Sequence, residues 1–280
     1  MRADQPIASA RPGLTRGNLF LGLFLLAGLN ALAGQALRDI TFAGFGASLL
    51  NLFGVSAIVW AALAAAAKIL TERPLGQLPR RLDYAIGAIV LVAALLPFST
   101  ASMLALTALS LYAIGTSPAG SGIRRAAIIF LAMSGVLIWG RLMLAAFSTT
   151  FLEMDALFVS LLLGTEHQGN LLWYDGYPTR LVVAPGCSSM QGISLSILLW
   201  ATINQLFEIR FGLKSALWCL AAVAATIAVN VVRIGSMLSF PAYLDELHHG
   251  WGVQLFMWLT FAAVAAICLY GGRRHVFARV

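Results

Sequence analysis

The chain has 280 residues, of which 60% are apolar and only 10% are charged, and its mean hydropathy is +0.87. A soluble domain of this size could not bury so much apolar surface, so the composition excludes a soluble globular protein. The net charge of +7 comes from basic residues scattered among short loops, without the basic, aromatic-rich patch of a nucleic-acid-binding protein. We therefore expect no nucleic-acid partner.

Apolar runs of about 20 residues recur along the whole chain, the length that crosses a bilayer core of about 30 Å as a helix. The runs are continuous rather than alternating, which favours helices over a β-barrel. The sequence predicts an all-α polytopic membrane protein that forms one membrane domain over residues 1–280. The eight predicted spans are residues 18–37, 45–67, 84–97, 101–116, 126–147, 190–207, 215–238 and 253–271. For the short third and fourth spans, a re-entrant hairpin is the alternative.

Lysine and arginine set the orientation of such a protein, because they are retained on the cytoplasmic side. All but four of the 18 basic residues fall at the termini or in alternate connections between the predicted spans. The four exceptions are Arg38, Arg141, Arg180 and Arg233. The pattern predicts that both termini are cytoplasmic.

Residues 148–189 form the longest predicted outer segment. Its apolar part, residues 151–163, predicts an interfacial helix. In residues 169–183, two apolar stretches flank Asp175-Gly176, which is a hairpin signal. We expect a small extracytoplasmic lid that leads directly into Cys187.

Cys187 lies in a polar turn, Pro-Gly-Cys-Ser-Ser-Met, whereas Cys219 and Cys268 lie in apolar runs where cysteine usually packs as a small hydrophobe. Gly186 permits an unusual backbone angle in this turn. We expect amides at the start of the next helix to face the sulfur, which would favour its thiolate form.

Arg233 falls in the outer third of the seventh predicted span, where a charge costs about 3 kcal/mol. Asn230 precedes it by three positions on nearly the same helix face, which favours an inward polar stripe over snorkelling to the interface. His248 and His249 lie in the next outer connection. Singly, each is an ordinary loop histidine, and as a pair they lack the spacing of metal ligands, so no metal or other cofactor is predicted.

The predicted topology brings Cys187, Arg233 and His248 to the outer ends of three successive spans, within a catalytic half over residues 187–252. A thiol nucleophile, a fixed cation and a proton shuttle are the groups that acyl transfer requires. Arg141, near the outer end of the fifth span, is predicted to line the same pocket or to bind a substrate carboxylate.

Three short motifs in this half resemble the exosortase/archaeosortase family. They are Cys-Ser before a long span, Asn-Val-Val-Arg-Ile at the end of the next, and His-x-x-x-Gly opening the last, and the resemblance covers roughly residues 150–270. It implies catalytic roles for Cys187, Arg233 and His248, with His248 preferred to its neighbour because Gly252 follows four positions later. In one departure, Ser189 stands where members commonly have glycine.

The resemblance implies a membrane-embedded cysteine peptidase or transpeptidase at the outer face of the bacterial inner membrane. Its partners would be exported proteins with a C-terminal signal: a short motif such as Pro-Glu-Pro, a transmembrane helix and a basic tail. The enzyme would cut near the motif and transfer the protein to an acceptor that the sequence does not identify.

Three other functions stay open at this stage. A membrane transporter or channel would use Arg233 and Arg141 as an anion site. A plain intramembrane protease would hydrolyse its substrate, although the Gly-x-Ser-x-Gly and His-Glu-x-x-His patterns of serine and metal enzymes are missing from the sequence. An assembly factor would tolerate substitution of all three site residues.

Overall fold

The computed structural model describes residues 14–72, 77–175, 180–248 and 250–276, which are almost entirely helical. The helices are α1 (Arg16–Ala43), α2 (Phe45–Leu50), α3 (Ala57–Glu72), α4 (Arg81–Leu95), α5 (Ser99–Thr116), α6 (Gly122–Ser134), α7 (Gly140–Ala146), α8 (Ser148–Leu163), α9 (Met190–Leu206), α10 (Leu213–Ser239), α11 (Leu244–His248) and α12 (Trp251–Val276). A π-helical turn, Gly135–Trp139, joins α6 to α7 in one continuous helix. Three short strands, β1 (Glu166–Gln168), β2 (Leu171–Trp173) and β3 (Arg180–Val182), form one antiparallel sheet.

The long helices run alternately up and down a bundle, and buried polar contacts show which ends meet. Arg16, at the start of α1, donates to Asp83 near the start of α4 and to Thr116 at the end of α5. Arg125, near the start of α6, donates to the carbonyl of Gln205 near the end of α9. We call this end of the bundle the basic end.

The remaining long helices follow the same alternation. Gly122, at the start of α6, approaches the carbonyl of Ile69 near the end of α3 so closely that an added Cβ would lie 3.1 Å from it. Trp218, in the second turn of α10, packs directly on Gly271 near the end of α12. Within the described residues, the helix directions therefore agree with the order predicted from the sequence.

Among the described residues, six helical segments are long and apolar enough to cross a membrane: Arg16–Ala43, Ser99–Thr116, Gly122–Ala146, Pro185–Leu206, Leu213–Ser239 and Trp251–Arg273. By contrast, α3 has 16 residues and α4 has 15. At 1.5 Å per residue these two extend only about 24 Å and about 22 Å, less than a hydrocarbon core of about 30 Å. The described residues thus form an all-α, membrane-type fold, in which six helical segments of 18 residues or more, rather than the predicted eight, are candidate spans.

The second predicted span, residues 45–67, is wrong in its first half. The helix is interrupted after α2, where Leu52, Phe53 and Gly54 have positive φ values of 52°, 58° and 68°. An added Cβ on Gly54 would lie 3.2 Å from Oδ1 of Asp39, so the turn packs against the end of α1. This anchorage also explains why α1 continues to Ala43, beyond the predicted boundary at residue 37.

Two separate apolar cores fill the bundle. The larger lies among α1, α3, α5, α6 and α9, where the rings of Phe24 and Phe130 stack with centroids 4.5 Å apart. The smaller lies at the end opposite the basic end and joins α8, the sheet and α10. It includes the buried side chains of Leu172, Val183, Cys187 and Ile234. The smaller core places the sheet directly against the candidate nucleophile.

The outer segment agrees with its predicted elements. The helix expected over residues 151–163 is α8, and the expected hairpin is the β2–β3 pair, in which Trp173 faces Arg180. Its turn residues 176–179 lie outside the described chain. The sequence analysis missed β1. The Tyr174 hydroxyl lies 2.9 Å from the Ser239 hydroxyl, which ties the hairpin to the end of α10.

The ion pair at the basic end gives a test of what holds the bundle together. Arg16 and Asp83 are 1% and 0% exposed. Because Asp83→Ala leaves a buried guanidinium without its carboxylate, we expect a loss of about 3 kcal/mol or more in unfolding free energy. Glu72→Ala is the matched control, because it removes one member of an exposed ion pair, Lys68–Glu72. Unfolding in detergent, followed by tryptophan fluorescence, checks this, and equal stability of the two variants would contradict it.

Candidate active site

Cys187 and His248 meet at the end of the bundle opposite the basic end. Cys187 closes a 3-10 turn, Pro185–Cys187, just before α9, and His248 is the last residue of α11. The Cys187 sulfur lies 3.2 Å from Nε2 of His248, although 61 positions separate the two residues. Cys187 is 5% exposed and the imidazole is half-buried. A thiol and a base in hydrogen-bond contact are the arrangement that activates a sulfur nucleophile.

Arg233 lies beside this pair on α10. Its Nη2 donates over a long 3.5 Å contact to the backbone carbonyl of His248. Its Nε is buried and has no hydrogen-bond partner among the described residues. The structure therefore brings all three predicted site residues together, with one guanidinium donor still unused.

Asn230 precedes Arg233 by three positions and faces the same way. Its Nδ2 donates to the backbone carbonyl of Cys187 at 2.8 Å. One face of α10 thus holds the backbone of both reactive residues, at Cys187 through Asn230 and at His248 through Arg233. The inward polar stripe expected from the sequence is present.

Asp155, on α8, is the residue of the site that the sequence analysis missed. It is 1% exposed, and its Oδ2 accepts a hydrogen bond from the Ser189 amide at 3.0 Å. Burial raises the pKa of the Asp155 carboxyl above its ordinary value of 3.8, and hydrogen bonds from Ser189, Ser188 and Asn230 lower it by less. In the sequence, Asp155 cannot be told from a solvated charge on an interfacial helix. Its role appears only when α8 packs beside α10.

The cysteine turn does not use the conformational freedom of Gly186. This residue does not have a positive φ, and an added Cβ there would meet no heavy atom within 4 Å. The amides expected to face the sulfur donate elsewhere: those of Ser188 and Ser189 donate to the Pro185 carbonyl and to Asp155. The amide of Met190, the first residue of α9, donates to the Ser188 hydroxyl.

The departure from the family pattern at Ser189 is compatible with the fold. Ser189 has φ −63° and ψ −16°, an ordinary right-handed conformation that any residue adopts. Its amide reaches Asp155 without help from a glycine. The glycine common at this position in the family is therefore not needed by the backbone here.

The packing at position 252, four residues after His248, requires a glycine. An added Cβ on Gly252 would lie 2.6 Å from Cα of Leu247 and 3.1 Å from the Glu246 carbonyl oxygen. Only glycine lets α12 begin so close beneath α11, and this close packing holds His248 over the sulfur. The adjacent His249 lies outside the described residues.

Arg141 lines a different cavity from the Cys187 site, which corrects the prediction that it lines the same pocket. Its role toward a substrate carboxylate stays a prediction. The cavity, of about 400 Å³, lies between α1, α5 and α7 and is also lined by Gln35, Arg38 and Ser99. The π-helical turn before α7 adds a residue to one helical turn and so rotates the end of the helix relative to a regular continuation. Such a rotation is invisible in the sequence pattern.

The described part of the chain contains no group of three or more His, Cys, Asp or Glu side chains that could hold a metal ion. Comparison of the chain with family models, curated proteins and solved structures gave no match in any of the three.

The close packing at Gly252 gives a test of how His248 is positioned. Gly252→Ala should push α11 away from α12, so amide hydrogen exchange in residues 244–248 should become faster. Gly186→Ala is the matched control, because its added methyl group meets open space. Hydrogen-exchange mass spectrometry of both variants checks this. Unchanged exchange in Gly252→Ala would show that the glycine does not set the position of α11.

The buried carboxyl of Asp155 gives a pH test. Because its pKa is higher in the folded protein than the ordinary 3.8, the folded state binds the proton more tightly than the unfolded state. Stability should therefore fall as the pH rises from about 3.8 through the raised folded pKa, and then level off. Asp155→Asn has no carboxyl group to titrate at this position, so its stability should not show this fall with rising pH. Thermal unfolding in detergent across that pH range compares the two, and parallel profiles would contradict the assignment.

Proposed function

We propose that the chain is a membrane-embedded cysteine peptidase or transpeptidase that cleaves a C-terminal sorting signal of exported proteins. The observation that carries the proposal is the 3.2 Å contact between the Cys187 sulfur and His248 Nε2. The half-buried Arg233, with its unpartnered Nε, adds a donor for developing negative charge. The motifs that resemble the exosortase/archaeosortase family supply the substrate class.

The proposed reaction begins when His248 Nε2 takes the proton of the Cys187 thiol. The thiolate attacks the scissile carbonyl carbon, and the carbonyl oxygen becomes an oxyanion beside the Arg233 guanidinium. As the tetrahedral intermediate collapses, the C–N bond breaks and the imidazolium of His248 gives its proton to the leaving amine. A thioester on Cys187 remains.

The second half of the reaction releases the sorted protein. An acceptor with an O–H or N–H group gives its proton to His248 and attacks the thioester carbonyl. The C–S bond then breaks, and the thiolate regains the proton from the imidazolium. With water as the acceptor the outcome is hydrolysis, and with an amine or a hydroxyl group it is transfer.

Asn230 and Asp155 act in this proposal as positioning residues. They hold the backbone on either side of the sulfur, at the Cys187 carbonyl and at the Ser189 amide. Since effective proximity depends on sub-ångström placement, their loss should slow the chemistry without removing a reacting group.

We infer that the protein lies in the bacterial cytoplasmic membrane with the basic end inside and the Cys187 site facing the periplasm. Basic residues that follow or precede the long helices at the basic end support this orientation, since positive charge is retained in the cytoplasm. They include Arg80, Arg81, Arg124, Arg210 and Lys214. In this orientation the short helices α3 and α4 complete eight crossings, and a substrate helix in the bilayer would present its outer end to the site.

The transporter alternative is less well supported. It requires Arg141 and Arg233 to form one anion site, but Arg141 lines the cavity between α1, α5 and α7, whereas Arg233 contacts the His248 carbonyl.

Substitution of the three reacting residues tests the proposal. In cells that also make an exported protein with a C-terminal motif, helix and basic tail, Cys187→Ala should lower the processing rate by on the order of a thousandfold or more. Arg233→Lys should lower it by about a hundredfold, because one oriented donor is lost from the oxyanion. His248→Gln should also block processing. Immunoblotting for uncleaved substrate measures all three.

Matched controls come from the same chain. Cys268→Ala removes another buried cysteine, and Arg141→Lys changes an arginine outside the site, so both should process substrate normally. Each variant is first shown to reach the membrane fraction in normal amount. Full processing by Cys187→Ala would contradict the cysteine mechanism, whereas anion flux that survives Cys187→Ser would favour a transporter.

A further inference from the structure

A second cavity, unrelated to Cys187, opens at the basic end of the bundle. It has a volume of about 190 Å³ and lies where α9 ends, α10 begins and α12 ends. Arg210, Lys214 and Arg273 line it, and two tryptophans, Trp200 and Trp218, contribute its aromatic surface. Three cationic side chains and apolar walls meet here at one end of three candidate membrane spans.

Asn204 is a buried polar residue in the lining of this cavity. The residue is 4% exposed, and its Oδ1 accepts a hydrogen bond from the Ser215 hydroxyl at 3.3 Å. Its Nδ2 is buried and has no hydrogen-bond partner among the described residues. A buried N–H group without an acceptor costs about 1–3 kcal/mol, so it calls for a ligand atom that accepts a hydrogen bond.

The charges around the cavity are of one sign. None of its described lining residues is Asp or Glu. Glu208, which precedes Arg210 by two positions, forms an ion pair with Arg125 at 2.7 Å. Arg273 is held in place because its guanidinium lies 4.1 Å above the Tyr270 ring and Nη1 donates to the Tyr270 carbonyl. The cavity is therefore built for an anion that accepts hydrogen bonds.

We propose that this cavity binds the phosphodiester headgroup of an acidic membrane lipid. The phosphate oxygens would accept from Asn204 Nδ2 and pair with Arg210, Lys214 and Arg273, while the adjoining glycerol carbons would pack on Trp200 and Trp218. Basic pockets between transmembrane helices at this level of a bilayer are suited to acidic headgroups. A free phosphate ion offers the same oxygens but would leave the indole surface uncovered.

The lipid site is separate from the proposed active site. Cys187 precedes α9 and Asn204 lies near its end, 17 positions later, which corresponds to about 26 Å along a helix. The inference therefore does not rest on the cysteine mechanism.

Binding of a short-chain phosphatidylglycerol to the full-length protein, delipidated in a neutral detergent, tests the proposal by native mass spectrometry. Wild type should bind one lipid molecule at the site. Asn204→Asp, which keeps the side-chain shape but replaces the donor by a negative charge, should weaken the dissociation constant by about tenfold or more. Lys214→Gln, at an exposed position outside the packed core, should also weaken binding. Arg81→Gln is the matched control, since Arg81 is exposed at the basic end but does not line the cavity.

Two results would overturn the proposal. Equal affinity in wild type, Asn204→Asp, Lys214→Gln and Arg81→Gln would mean that lipid binds to surface charge in general. Inorganic phosphate that binds as tightly as phosphatidylglycerol, with the same dependence on Asn204 and Lys214, would identify a free ion as the occupant. Preference for phosphatidylglycerol over phosphatidylcholine, lost in Asn204→Asp, would support the acidic headgroup.

Discussion

The polar face of α10 is the constraint on which the candidate site depends. Cys187 and His248 belong to different segments of the chain, and neither is part of a long helix. Asn230 fixes the carbonyl of Cys187, and Arg233 reaches the carbonyl of His248, so the same helix sets the separation of sulfur and imidazole. A regular helix is rigid over one turn, and the 3.2 Å contact follows from that rigidity.

Several of the few polar groups in this apolar chain are buried and hydrogen-bonded at the two ends of the bundle. At the basic end, Asp83 accepts from Arg16 and from the Tyr112 hydroxyl, which satisfies a carboxylate that would otherwise be costly in the bundle. At the other end, Asp155 accepts from Ser189 and supports the cysteine turn. The buried donors left over among the described residues include Nε of Arg233 and Nδ2 of Asn204. Arg233 belongs to the proposed active site and Asn204 to the proposed lipid site.

The hydrophobic pattern predicted most of the helices, because lipid and protein interiors both demand long apolar runs. It failed at the second span, where Gly54 and two left-handed neighbours break the helix inside a continuous apolar run. The meeting of Cys187, Arg233 and His248 could be predicted because helix ends at one face of a membrane must lie near one another. The position of Asp155 in the site and the displacement of Arg141 from it could not be predicted, because both depend on how helices rotate about their axes. A π-helical turn and the packing of α8 set those rotations, and neither leaves a mark in the composition.

The reactivity of the three cysteines toward iodoacetamide at pH 7 tests the central claim most directly, since it needs no knowledge of the substrate. Cys187 is 5% exposed and Cys219 is more accessible, so exposure alone predicts that Cys219 reacts first. The account predicts the reverse order, because His248 activates the sulfur of Cys187. It also predicts a slower reaction of Cys187 in a His248→Gln variant. Faster labelling of Cys219, or a Cys187 rate that does not depend on the imidazole, would contradict an activated nucleophile at this site.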